Sequence, residues 1–407
     1  MQIKKYLGGV AAGMTVVALS ATAALGDSTT VDGPMRFNPI PGSAYGQASA
    51  NWTVPYVVPA GFRQELVSDE TVLDIYPGAD DVGDMNTTNE TGRDKGRYLY
   101  RTHEVGSNGS VSVVDLKTGA TKVIIQDPGY RRLDGIRWSP WGTLLFDEET
   151  TGGRVFEASF DKKDPTKVVD VKARPALGIL AHEGIEALED GTTFVIDELT
   201  GGGIFKFVPD KKQDLSAGQL YAAKTTNADG TGALTWIPLD RTAVQVNARA
   251  EAAVKGASGY ERPEDVEVIG HDLFVAITGT DRVVKFDLKK DVVTNFVKAG
   301  INVPVENIAA LVTGLNNPDN LAQGPDGRLW VCEDNDYSDI YVAEGDKDKN
   351  GVADGVHLFA SLKDVGAEST GIYFGKDAKT LFVNVQHADK PLADGTWKIT
   401  RRHEGDD

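Results

Sequence analysis

The chain has 407 residues, a formal net charge of −18, 25% charged residues and one cysteine. Such an excess of acid excludes nucleic acid and anionic membrane surfaces as partners. A single cysteine excludes an internal disulfide framework, and Cys332, inside the run "LWVC", reads as a buried strand residue.

The first 26 residues, "MQIKKYLGGVAAGMTVVALSATAALG", carry Lys4 and Lys5, then an apolar run, then small residues. That order predicts a secretory signal peptide, 1–26, and a periplasmic or secreted product. There is no cysteine there for lipidation and no twin-arginine pair, so general export is expected. Without Lys4 and Lys5 the charge becomes about −20. No later apolar run is long enough for an integral membrane segment.

From Tyr98 onward one phrase recurs: "GRYLYRTHE", "WGTLLFDEET", "DGTTFVIDE", "GHDLFVAITG", "PDGRLWVCEDND" and "AKTLFVNVQH". The copies are anchored at Tyr98, Leu144, Thr193, Leu273, Leu329 and Leu381. Most gaps lie near a period of about 50 residues, which fits a four-stranded propeller blade. The stretches are rich in Val, Ile, Phe and Thr with Gly and Asp turns, which argues against a helical solenoid. The predicted fold is all-β: a six-bladed β-propeller over 27–400, with a helical or loop insertion between the third and fourth repeats. Helical propensity in that insertion centres on 244–254. "TWKITRR" reads as a ring-closing strand, and 401–407 as a charged tail.

In each copy the anchor strand is the return strand, and the strand before it lies along the axis. Asp134, Glu183, Glu264 and Asp319 stand nine or ten residues ahead of their anchors, and Glu368 thirteen. Asp84 stands at a looser fourteen. This register brings a ring of carboxylates to one mouth of the channel. The return strands end in His103-Glu104, Glu148-Glu149, Asp197-Glu198, Glu333-Asp334 and Gln386-His387, which adds outer ligands at the same mouth. Crowded carboxylates repel unless cations compensate them, and oxygen donors select hard ions. The candidate metal ligands are therefore Asp134, Glu183, Glu264, Asp319, Glu148, Glu149, Glu368 and Glu104. His182, beside Glu183, reads as a structural histidine.

Arg262 precedes Glu264 by two residues, with Pro263 stiffening the pair. It could grip a phosphate or carboxylate bidentately, or simply neutralise its acidic neighbours. Further on, Asp346, Asp348, Asn350 and Asp354 fall at positions 1, 3, 5 and 9 of a calcium loop, with Gly351 at the sharp turn. His357 replaces the usual bidentate Glu at position 12, and no flanking helices are expected. The expectation is a structural Ca²⁺ staple between strands. There is no G-x-S-x-G, Walker or H-E-x-x-H motif, and "TGGGIFKF" is a turn into a strand.

The segments "SPWGTLLFDEE", "AHEGIEALEDG", "YERPEDVEV", "NPDNLAQGPDGRLWV" and "ESTGIYFGKDAKTLFVNVQH" together resemble the PhoX-type alkaline phosphatases. The resemblance runs from about Tyr98 to His387. It implies a six-bladed propeller whose polynuclear centre holds Fe³⁺ and Ca²⁺ and hydrolyses phosphomonoesters. It implies Glu183, Glu264 and Asp319 as metal ligands and Arg262 as the phosphate-holding residue, so Arg262 and Glu264 are the catalytic candidates. Two departures stand out. Asp134 occupies the position where the family commonly has a cysteine thiolate on iron, and the family's usual twin-arginine signal is missing. The expected activity is an exported metal-dependent phosphatase acting on a small phosphoester as a monomer. The alternatives are a calcium-dependent lactonase or esterase of gluconolactonase type, and a non-enzymatic calcium-binding propeller.

Overall fold

The computed structural model describes residues 30–44, 51–335 and 337–402. The expected signal peptide and all of the charged tail beyond residue 402 lie outside the described residues. The chain is all-β and propeller-like, with one α-helix of 12 residues among the described residues. No described helix is long and apolar enough to cross a membrane.

Antiparallel strands form five sheets, one of them nine-stranded. The nine-stranded sheet is joined across only two residue pairs, Gly232–Val293 and Ala233–Val292. Six strands line the axis: Gly83–Thr88, Leu133–Trp138, Ile185–Ala187, Pro263–Ile269, Pro318–Gln323 and Glu368–Phe374. Each lies against the next, and the sixth returns to the first. The anchor residues sit at or near the start of the strands that return from them, such as Leu144–Glu148 and Leu329–Glu333.

Apolar faces of neighbouring sheets fill the space between them. Tyr100 stacks on Trp138 at 5.3 Å between ring centroids, and Trp330 meets Phe374 edge-on at 4.9 Å. The ring closes through the two ends of the chain. Strand Gly395–Arg401, which contains all but the last residue of the predicted closing segment, pairs on its outer side with Phe62–Asp69. Nothing in the repeat pattern pointed to that N-terminal partner. Helix Val244–Lys255 buries Val244, Ala248 and Ala252, a four-residue spacing that puts all three on one face. It is interrupted at Asn247 and ends at Gly256, whose φ of 70° suits a left-handed cap.

One device repeats where the axial strands begin. Val82, Arg132, Arg262 and Asn317 all have positive φ, 44°, 46°, 53° and 48°, as does Gly366 at 95°. Each stands two residues before an acid of the ring. The carbonyl at that position accepts the amide of the residue following the return strand: Val82 from Glu104, Arg132 from Glu149, Arg262 from Thr278 and Asn317 from Asp334. Directly afterwards four axial strands carry a bulge. The register skips from Gly83 to Asn86, Leu133 to Ile136, Pro263 to Val266 and Pro318 to Leu321. A bulge adds one residue and re-aims the side chains around it. Here it turns the acid at its centre into the axis.

Strands this close tolerate little bulk. A Cβ on Gly135 would lie 1.8 Å from the Glu183 carbonyl oxygen and 2.7 Å from an Asp147 carboxylate oxygen. Gly135→Ala is expected to cost about 2 kcal/mol or more, as overpacking against backbone does. Gly106, with nothing within 4 Å of its would-be Cβ, provides the control. Chemical denaturation of the two variants checks this, and equal stabilities would contradict the packing account.

Candidate metal centre

Two groups of three carboxylates meet at the mouth: the bulged strands supply Asp84, Asp134, Glu264 and Asp319, while Glu104 follows a return strand and Glu183 precedes the short strand Ile185–Ala187. Asp84, Glu104 and Asp134 each offer a ligand oxygen within 4.8 Å of the others, and so do Glu183, Glu264 and Asp319. Asp84, Asp134, Glu183 and Glu264 are buried, with at most 6% of each residue exposed. The two groups face each other closely enough that Asp134 feels the charge of Asp319, and Glu183 that of Asp134. Asp84, at the loosest sequence offset, belongs fully to the first group. Its carboxylate accepts from Thr370 Oγ1 at 2.6 Å and Gln386 Nε2 at 2.9 Å.

Around this lies an outer ring. Glu149 bonds Arg132 Nε at 2.9 Å, and Arg132 Nη2 reaches both Glu149 and Glu104. Arg262 Nε bonds Glu198 at 2.7 Å and its Nη2 lies 3.1 Å from Glu264. Both arginine side chains keep over 40% of their surface exposed at the mouth. Burial works against the charge of each, yet the facing carboxylates hold both guanidiniums more firmly protonated than usual. Arg132 was missed in the sequence, although it precedes Asp134 by the same two residues that separate Arg262 from Glu264. Glu368 lies 3.6 Å from His387 Nε2 and beside Asp334, outside both triads.

Glu148 is a correction. Its carboxylate is buried and taken by Arg154, at 2.8 Å to each oxygen, and by the Arg131 amide at 3.2 Å. Successive residues of a strand point to opposite sides, so Glu149 reaches the mouth and Glu148 does not. The same alternation gives His103 to the Asp81 carbonyl and Ser112, and Glu333 to the Asn316 and Asp339 amides. Asp197 is held by Arg249 of the helix at 2.6 Å, so the helix props the loop that carries Glu198. His182 is wholly buried and bonds the Gly178 carbonyl at 3.0 Å, in keeping with a structural role.

The donor set fits a hard cation. Every carboxylate of the two triads supplies oxygen, no thiol or imidazole joins them, and Asp134 Oδ1 is buried with no hydrogen-bond partner. Such an orphan calls for an ion or a proton. Without cations the carboxyls hold protons. Burial, then Asp84 and Glu149, pushes Glu104 up to about 10. Burial, opposed by Glu183 and Arg262, leaves Glu264 at about 7, and burial with Asp334 takes Glu368 to about 11.

The third carboxylate group is Asp346, Asp348 and Asp354, in the loop between strands Asp339–Ala343 and Val356–Leu362. Asp346 Oδ2 bonds Lys285 Nζ of the neighbouring sheet at 2.7 Å and the Gly351 amide at 2.8 Å, while its Oδ1 is buried and unpartnered. Asn350, expected to point inward, instead donates to Asp348 at 2.9 Å and accepts from the Val352 amide at 2.7 Å. Cys332 is fully buried in its strand.

With this geometry in place, the alkaline phosphatase PhoX family model matches residues 134–389. The chain belongs to the PhoX family. A search of curated proteins returns no match. Among solved structures, this PhoX-family chain is similar to a candidate gluconolactonase at 12% identity and a TM-score of 0.49, covering 87% of this chain and 97% of that one. It is also similar to the calcium-binding protein regucalcin from Agrobacterium tumefaciens at 12% identity and 0.45, covering 84% and 96%. At these scores the likeness carries no argument about activity.

The raised carboxyls fix a pH dependence for the chelated protein. A group whose pKa rises on folding contributes stability that is present below its unfolded value and lost as pH climbs through the folded one. Glu264, Glu104 and Glu368 rise from 4.5 to about 7, 10 and 11. In EDTA the melting temperature should therefore fall steadily between pH 5 and pH 10, and added calcium should flatten that fall. A melting temperature that rises over this range in EDTA would contradict the assignment.

Proposed function

We propose that this chain is an exported six-bladed β-propeller that hydrolyses small phosphomonoesters at a polynuclear metal centre in the axial mouth. The observation that carries the reading is the pairing of two carboxylate triads, four of whose six members are buried, with guanidiniums at the rim. The two triads would hold at least two hard cations, with Glu149 and Glu368 as outer oxygen donors. Calcium and ferric iron are the ions that the family resemblance implies, and both accept all-oxygen ligation. Bound there, such ions supply Lewis acidity for transfer of a phosphoryl group to water.

The protein's own residues do the rest. Arg262, anchored by Glu198 and Glu264, presents its exposed edge to phosphoryl oxygens and stays charged while doing so. Arg132, anchored by Glu104 and Glu149, offers a second cation on the other triad's side. Fixed guanidiniums stabilise the charge that gathers on the equatorial oxygens without reorganising. Glu264 has a double duty, because it joins the second triad and also orients Arg262. Asp134, standing where relatives place a thiolate, makes the first triad wholly oxygen-based.

A lactonase of gluconolactonase type is expected to use one axial metal, so two triads favour the phosphatase. The Asp346–Asp354 loop is proposed as a separate calcium staple, structural in role. A periplasmic or extracellular location and a monomeric state are part of the same proposal, the first supported by the signal-like sequence of residues 1–26.

Hydrolysis of p-nitrophenyl phosphate by protein purified without chelator tests this reading. Arg262→Ala should lower kcat/KM by about 10- to 100-fold, mainly through KM, the scale of a lost charge-assisted hydrogen bond. Glu264→Gln should lose bound metal and turnover together. Unchanged turnover in both variants, or a wild type active on lactones alone, would overturn the assignment.

A further inference from the structure

We propose that the loop of residues 299–317 forms an apolar rim that selects phosphomonoesters with hydrophobic alcohol groups. This rests on the phosphatase reading and names its substrate class. Of the thirteen exposed large hydrophobic residues among those described, five lie within this one loop: Ile301, Val305, Ile308, Leu311 and Val312. Leu311 is 76% exposed and Val305 65%. The loop's sole ionisable side chain is Glu306, in a protein with 25% charged residues. Scattered exposed apolar residues need no explanation, whereas their concentration in one loop with a single ionisable residue points to a contact surface.

Strand register places the loop on the mouth face. Pro263, beside Glu264, pairs with Ile277; Ile277 pairs with Arg282, and Arg282 with Lys298. The loop leaves from Lys298 at that level and enters the next axial strand at Pro318, one residue before Asp319. It therefore crosses the mouth face from the outer strand of one sheet to the axial strand that carries Asp319. The loop is also built rather than slack. Asn307 and Val312 exchange backbone hydrogen bonds at 3.0 Å, and the Asn307 side chain caps Ala310 at 3.1 Å. Asn302 ties it to the Phe296 and Ala353 carbonyls, and Val303 and Leu315 are buried in the core. With its anchors docked, the loop leaves its remaining apolar side chains exposed on the face that carries the site. A phosphoryl group held by Arg262 would leave its ester substituent next to them.

Calorimetry with two non-hydrolysable probes, methylphosphonate and hexylphosphonate, tests the rim separately from turnover. Covering about two methylenes should make hexylphosphonate bind about tenfold more tightly. In Val305→Ser/Leu311→Ser, both exposed positions, the ratio should fall towards one while methylphosphonate binding is unchanged. Equal binding of the two probes by the wild type, or a ratio that survives the double substitution, would overturn the rim and leave the phosphoryl site standing. Failure of both probes to bind would overturn both. A concentration-dependent dimer that the double variant abolishes would assign the patch to a second copy and likewise overturn the proposal.

Discussion

Mutual repulsion among buried carboxylates is the constraint on which the rest of this molecule depends. Asp84, Asp134, Glu183 and Glu264 are all but removed from water and lie within reach of one another. Charges so placed cannot all be present without a compensating cation or proton. The fold nevertheless forces them together. A closed ring of axial strands has one place for the first residues of every strand, and that place is the mouth.

Local backbone devices make the crowding possible. A left-handed residue two positions before the acid turns the chain into the axis, and a bulge at the acid aims its side chain inward. Non-glycine residues with positive φ carry strain that the surroundings must over-determine. Arg132 and Arg262 show what is gained, since the same turn that aims Asp134 and Glu264 inward also brings a guanidinium to the rim. The site is thus one unit of backbone geometry used four times around an axis to aim Asp84, Asp134, Glu264 and Asp319, with Glu104 and Glu183 brought in by other segments.

Much of this was legible from spacing. The return strands, the acids of the ring and the helical stretch after residue 243 follow from hydrophobic alternation and turn residues, which are local signals. Membership of the PhoX family likewise followed from short segments that the family model spans. Three features were not legible, each for a physical reason. Glu148 was placed at the mouth because a run of two acids does not reveal which one the pleat turns inward. Asp84 was undervalued because the first strand pair is joined by the longer connection 89–97, which loosens its offset. Strand Phe62–Asp69 was unseen because its role comes from long-range closure with Gly395–Arg401, to which no repeat corresponds.

The Asp134 position gives the account its sharpest chemical edge. An all-oxygen first triad holds hard ions by charge and geometry, and gains nothing from soft donors. Cation compensation of the paired triads is the central claim, and metal stoichiometry tests it most directly. Elemental analysis of the mature protein, purified without chelator, should find at least two tightly held hard metal ions per chain beyond any at the Asp346 loop. Asp134→Asn and Asp319→Asn should each remove one of them. A protein that carries no metal at neutral pH, or that keeps its full complement in both variants, would contradict the account.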